Sequence, residues 1–196
     1  MLLILTLLPI SAIAGDETDP EISDAPGDAR MNVDIQKAWF FEDPATPQYL
    51  YITLKVTYLE TNYRGTLLHD VYWKMNHVNH FVYTSLGLYM SNEIGTANFV
   101  TGHPWKIKYA NITGSLDVKN NTITYIIPKS LIGNPQKGDI LTKTHATTSQ
   151  RTPFMSKLGW DAMFITRTFR ILGSLSKCWM DIAPDDELGR DYIIQY

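Results

Sequence analysis

Residues 49–58 alternate along their whole length: Leu50, Ile52, Leu54 and Val56 are apolar, and Tyr49, Tyr51, Thr53, Lys55 and Thr57 stand between them. A period of two marks a strand with one face buried and the other wet. Similar short runs lie at 32–41, 97–101, 105–113, 140–148 and 190–195, and 69–76 with 80–89 read as a hairpin about the turn at 76–79. The pair 115–119 and 122–127 flanks Asn120-Asn121, a dipeptide suited to the left-handed conformations of a type I′ turn. In DPATP at 43–47 two prolines fix φ and remove ladder donors, which predicts a turn. PKSLIGNP at 128–135 predicts one helical turn, with Pro128 near its start and Gly133 at its end. About nine short strands with hardly any helix predict an all-β protein, an antiparallel β-sandwich of jelly-roll type. The rhythm breaks at 150–180, where Phe154, Trp160, Phe164 and Phe169 fit neither period. That segment reads as an inserted, partly helical loop, either a lid on the sandwich or a contact surface for a partner or membrane.

Composition sets the setting. With 196 residues, 44% of them apolar, the chain is long enough for one domain with a real core. The uncharged apolar run 2–14 ends in Ala12-Ile13-Ala14, the pattern of a secretory signal peptide, so a mature domain is expected over 15–196. No other stretch approaches transmembrane length, so the mature chain is expected to be secreted or held at the cell surface without a span of its own. Cys178 is the only cysteine, which excludes an intrachain disulfide. Residues 15–34 carry seven acids against Arg30, an extended acidic arm that argues against nucleic acid as the partner.

The order of the pieces resembles a group of secreted archaeal β-sandwich domains related to the family 9 carbohydrate-binding modules and the DOMON superfamily. The likeness is carried by Asp24-Ala-Pro-Gly27-Asp28 with Asp34-Ile35, the strand 50–56, the hairpin 71–83, the element 127–135, Gly138-Asp139, and the close Ala183-Pro184-Asp185 with Gly189-Arg190-Asp191-Tyr192. It covers about 24–148 and 181–196. The resemblance implies a sandwich that binds or displays and does not catalyse, with a structural Ca²⁺ site at its Asp-rich opening.

The residues point to the same chemistry. Ca²⁺ takes six to eight oxygens from carboxylates, carbonyls and water. Asp24, Asp28 and Asp34 at one end of the domain and Asp181 and Asp185 at the other supply such oxygens if the terminal strands are neighbours. Tyr49, Tyr51, Tyr72 and Trp105 are the candidate ligand-binding aromatics, for a carbohydrate or a cell-surface protein. Asn111 and Asn120 open glycosylation sequons. His77-x-x-His80 lacks converging partners for zinc, and the histidines read as surface or turn residues. No nucleophile elbow, phosphate loop or spaced carboxylate pair is present, so the chain is read as a non-enzyme. The alternative reading is a structural subunit of an extracellular filament or surface layer, self-assembled by strand addition through the arm at 15–30.

Overall fold

A computed structural model describes residues 15–87, 93–100, 106–151, 179–185 and 187–196. They form two antiparallel sheets packed face to face, the all-β sandwich expected from the alternation. One sheet holds, side by side, β1 (Ile22–Ser23), β2 (Ile35–Phe41), β3 (Tyr49–Val56), β9 (Thr122–Pro128) and β8 (Thr113–Asp117). The other runs β11 (Trp179–Ala183), β10 (Ile140–Arg151), β4 (Thr66–Met75), β5 (Val78–Leu86), β6 (Glu93–Val100) and β7 (Lys108–Asn111). A final short strand, β12 (Tyr192–Ile193), pairs with the start of β10.

Alternation decides which side chains fill the space between the sheets. Leu50, Ile52, Leu54 and Val56 of β3 point inward and share one core with Leu67, Val71, Trp73 and Met75 of β4. Ile123, Tyr125 and Ile127 of β9 and Val82 and Leu86 of β5 complete it. Burying each large aliphatic side chain contributes about 1.5–3 kcal/mol, and this is the main force holding the layers together. At one end Phe40 meets Trp73 edge to face at 5.9 Å and stacks on Tyr192 at 5.7 Å, joining β2, β4 and β12.

Several expectations change in detail. The left-handed two-residue turn sits at Asn76-His77, where both φ are positive (47° and 65°), and joins β4 to β5. The loop between β8 and β9 is longer, because Asp117 pairs with Thr122 and leaves residues 118–121 outside the ladder. There the Asp117 carboxylate accepts the Asn120 backbone N–H at 3.1 Å and its side-chain amide at 2.7 Å, and only Asn121 is left-handed. Residues 128–135 do make one helical turn, a 3₁₀ turn at Lys129–Ile132 closed by Gly133. The arm is less free than its composition suggests: Ile22 is fully buried and β1 forms the edge of the first sheet. β11, which brings Asp181 across from the C-terminal side, was hidden in the acidic close of the sequence. Residues 1–14, expected as a signal peptide, and residues 152–178 of the expected insertion lie outside the described residues.

Candidate metal centre

The two ends of the domain meet where β1 runs into its following loop. Asp24 leaves β1 with its backbone N–H on the Gln36 carbonyl at 3.0 Å, which fixes where its side chain starts. The chain then bends through Pro26 and Gly27, whose φ of +89° is open to glycine and strained for other residues. That bend aims the Gly27 N–H at both oxygens of Asp34, at 3.0 and 3.1 Å, and places Asp28 beyond it. Asp34 is buried and also accepts the Thr57 hydroxyl, so its carboxylate organises the loop.

From the opposite sheet, Asp181 on β11 reaches the same place. Its Oδ2 accepts the Ile35 N–H at 2.7 Å and its Oδ1 the Ile182 N–H at 2.9 Å, which locks the side chain across the gap between the sheets. One ligand oxygen each from Asp24, Asp28 and Asp181 lies within 4.8 Å of the others. Asp34 and Asp185 border this triad at hydrogen-bonding range of the Asp28 carboxyl. Of the five acids expected to hold a cation, three therefore converge and two flank them.

Burial and proximity set the carboxylates of this cluster against one another. Burial, then the neighbouring charge of Asp181, pushes the Asp24 carboxyl up to about 7, with Asp28 and Asp185 adding to the repulsion. Asp28 is raised by desolvation and by Asp181, and Asp181 by its burial against the opposing pull of its two backbone hydrogen bonds. One Asp24 oxygen is buried and accepts no hydrogen bond. Three carboxylates with unfilled lone pairs and mutual repulsion form a hard-oxygen set that a divalent cation would relieve. Asp24, Asp28 and Asp181 would bind it directly, with Asp185, loop carbonyls and water left for the remaining positions.

The expected ligand-binding aromatics do not share one surface. Tyr49 and Tyr51 lie on the outer face of the first sheet, where Tyr51 stacks on Phe41 at 4.9 Å and holds Thr46 through its hydroxyl at 2.8 Å. Trp39 joins them on that face, opposite Thr53. Trp39 and Phe41 are the outward positions of AWFF, alternating with the buried Ala38 and Phe40, and the unbroken apolar run hides that alternation in the sequence. Tyr72 belongs to the other sheet. It stacks between Phe81 at 5.1 Å and His145 at 4.8 Å, in a second apolar cluster with Tyr83 and Ala97. Trp105 lies outside the described residues.

The histidines require a correction. His77 sits in the exposed turn, whereas His69 and His80 are buried, and His80 stacks flat on Trp73 at 5.5 Å. His77 and His80 thus diverge, because alternation sends His80 inward while the left-handed turn turns His77 out. Asn111 is exposed at the end of β7; Asn120 is exposed but spends its amide on Asp117. Among the described residues no helix is long and apolar enough to cross a membrane. Comparison with protein-family models, with curated proteins and with solved structures finds no match.

Proposed function

We propose that this chain is a secreted or cell-surface β-sandwich module, stabilised by Ca²⁺, that binds a carbohydrate or a surface protein and performs no catalysis. The observation that carries the reading is the meeting of Asp24, Asp28 and Asp181 from the two ends of the domain within 4.8 Å. A cation there ties the loop after β1 to β11, and so ties the first sheet to the second. Such a bond does the work that disulfides do in many extracellular domains, in a chain whose single cysteine permits none within it.

The surface that best fits the binding role is the outer face of the first sheet. Trp39, Phe41, Tyr49 and Tyr51 form an aromatic strip beside a row of hydroxyls, in which Thr53 and Thr124 hydrogen-bond at 3.1 Å. Rings that present flat apolar faces beside hydroxyls suit a neutral sugar. On that face Lys55 pairs with Glu17 at 2.5 Å, and Lys37, opposite Lys55, donates to the Glu17 carbonyl at 3.0 Å.

Thermal melts test the metal role. EDTA is expected to lower the melting temperature, Ca²⁺ to restore it, and Asp28→Ala to abolish the difference. A glycan array with wild type and Tyr51→Ala tests the face separately, and equal binding by both would move the ligand elsewhere.

A further inference from the structure

The arm before the metal centre lies in a groove built to read its sequence. Arg190 supplies most of the recognition: its Nη2 donates to the Asp19 carbonyl at 3.0 Å, the Asp19 carboxylate at 2.7 Å and the Pro20 carbonyl at 2.8 Å. Its backbone N–H donates to the Glu21 carbonyl at 2.8 Å. The Phe40 N–H donates to the Glu21 carboxylate at 2.8 Å. Ile22 then enters the core, and Ile22 and Ser23 pair with Ala38 and Lys37 of β2. The floor is Gly189, where a Cβ would stand 2.6 Å from the Glu21 carbonyl oxygen and 2.9 Å from an Ile22 carbon. Only glycine leaves room for the arm to lie this close.

The arm is recognised in detail yet held along a short length. Its ladder is two residues long, and its ion pairs, Arg190–Asp19 and Lys55–Glu17, are at the surface, where such pairs contribute little. Residues 24–32 separate it from the buried Val33 and Asp34; with Asp24 and Asp28 released from Asp181 they span about 30 Å when extended, enough to reach a neighbouring molecule. Departure of the arm uncovers the edge of β2, a slot for one isoleucine and a guanidinium for an acidic residue. An Asp-Pro-Glu-Ile segment matches that slot in shape and charge, and a second copy carries one.

We propose that this groove is a peptide-binding site that accepts residues 19–23 of a second copy, so that copies link by exchanging their first strands. The exchange competes with the chain's own arm, whose effective concentration on a short tether is on the order of millimolar. It is therefore a concentration-dependent minor state that covalent trapping reveals.

The test uses full-length chains in a Cys178→Ser background. One carries Ser23→Cys and the other Lys37→Cys, at positions that face each other across β1 and β2. Mixed and oxidised, they are expected to form an interchain disulfide at an initial rate that rises about tenfold when one partner is made tenfold more concentrated. Gly189→Val in the Lys37→Cys chain fills the groove, and Arg190→Ala strips its donors; each is expected to reduce the product severalfold. A single chain carrying both cysteines closes within itself and shows that each variant position is competent. If that chain closes while the mixture gives no more product than its Gly189→Val counterpart, in Ca²⁺ and in EDTA alike, the exchange proposal is overturned. The melts that test the metal site are unaffected by that result.

Discussion

Replacing Glu21 by glutamine is expected to stabilise this protein at pH 8 and to leave it nearly unchanged at pH 4. Glu21 is buried to 7% exposure in the arm groove, against Gly15 and under the Phe40 N–H. Burial pushes its carboxyl up to about 7 from an ordinary 4.5, outweighing the hydrogen bonds from Phe40 and its own N–H and the attraction of Arg190. An acid whose pKa rises on folding favours the folded state only while protonated. Its contribution is therefore whole below about pH 4.5, falls as pH climbs towards 7, and stays lost above that. At about 1.4 kcal/mol for each pH unit of that window, the loss is about 3 kcal/mol. Glutamine keeps an acceptor for the Phe40 N–H and carries no charge, so the variant recovers most of this at pH 8. In a chain of this size that is about 6–12 °C in melting temperature. Urea unfolding followed by tryptophan fluorescence at pH 4, 6 and 8 measures the difference between wild type and variant. Equal destabilisation of Glu21→Gln at all three values would refute the reasoning, since the charged carboxylate would then be the better partner for its pocket.

Three further outcomes follow from buried polar groups and the aromatic face. Lys129 pairs with Glu42 in the interior, where Glu42 also accepts the Tyr192 hydroxyl at 3.2 Å and the Gln195 N–H at 2.5 Å. Lys129→Met leaves that carboxylate without its counter-charge and is expected to cost about 3–5 kcal/mol in urea unfolding, most of it recovered in Lys129→Met/Glu42→Leu. Both ring nitrogens of His80 are buried without a hydrogen bond, and burial lowers its pKa to about 4. The folded state resists its protonation, so stability is lost as pH falls from 6.5 towards 4; His80→Phe, which keeps the stack on Trp73, is expected to be neutral or stabilising at pH 7 and clearly stabilising at pH 4.5. On the outer face of the first sheet, Trp39→Ala is expected to change the melting temperature little while weakening glycan binding, read by retention on immobilised polysaccharide.

The alternation of 49–56 and the punctuation by proline and glycine made most strands legible, because a half-buried sheet must alternate. What stayed hidden is a matter of residues whose partners are distant in sequence. Ile22 is a lone apolar residue among acids, and nothing local shows that β2 and Gly189 wait for it. Nothing in the neighbouring sequence marks Glu21 or Glu42 as buried, yet both are, one by the returning chain at 189–190 and the other by Lys129 and the final residues. In the candidate metal centre, the residue types and the two ends of the chain were readable. The division between the converging Asp24, Asp28 and Asp181 and the loop-organising Asp34 depends on the Gly27 bend and the Thr57 hydroxyl, which only the fold supplies.

Calorimetric titration of Ca²⁺ into EDTA-stripped protein at pH 7 addresses the proposed cation bridge most directly. One site per chain is expected, with uptake accompanied by proton release because burial and Asp181 raise the Asp24 carboxyl to about 7, and with loss of the site in Asp181→Asn. Absence of binding in wild type that elemental analysis shows to be metal-free, or unchanged binding in Asp181→Asn, would contradict the bridge.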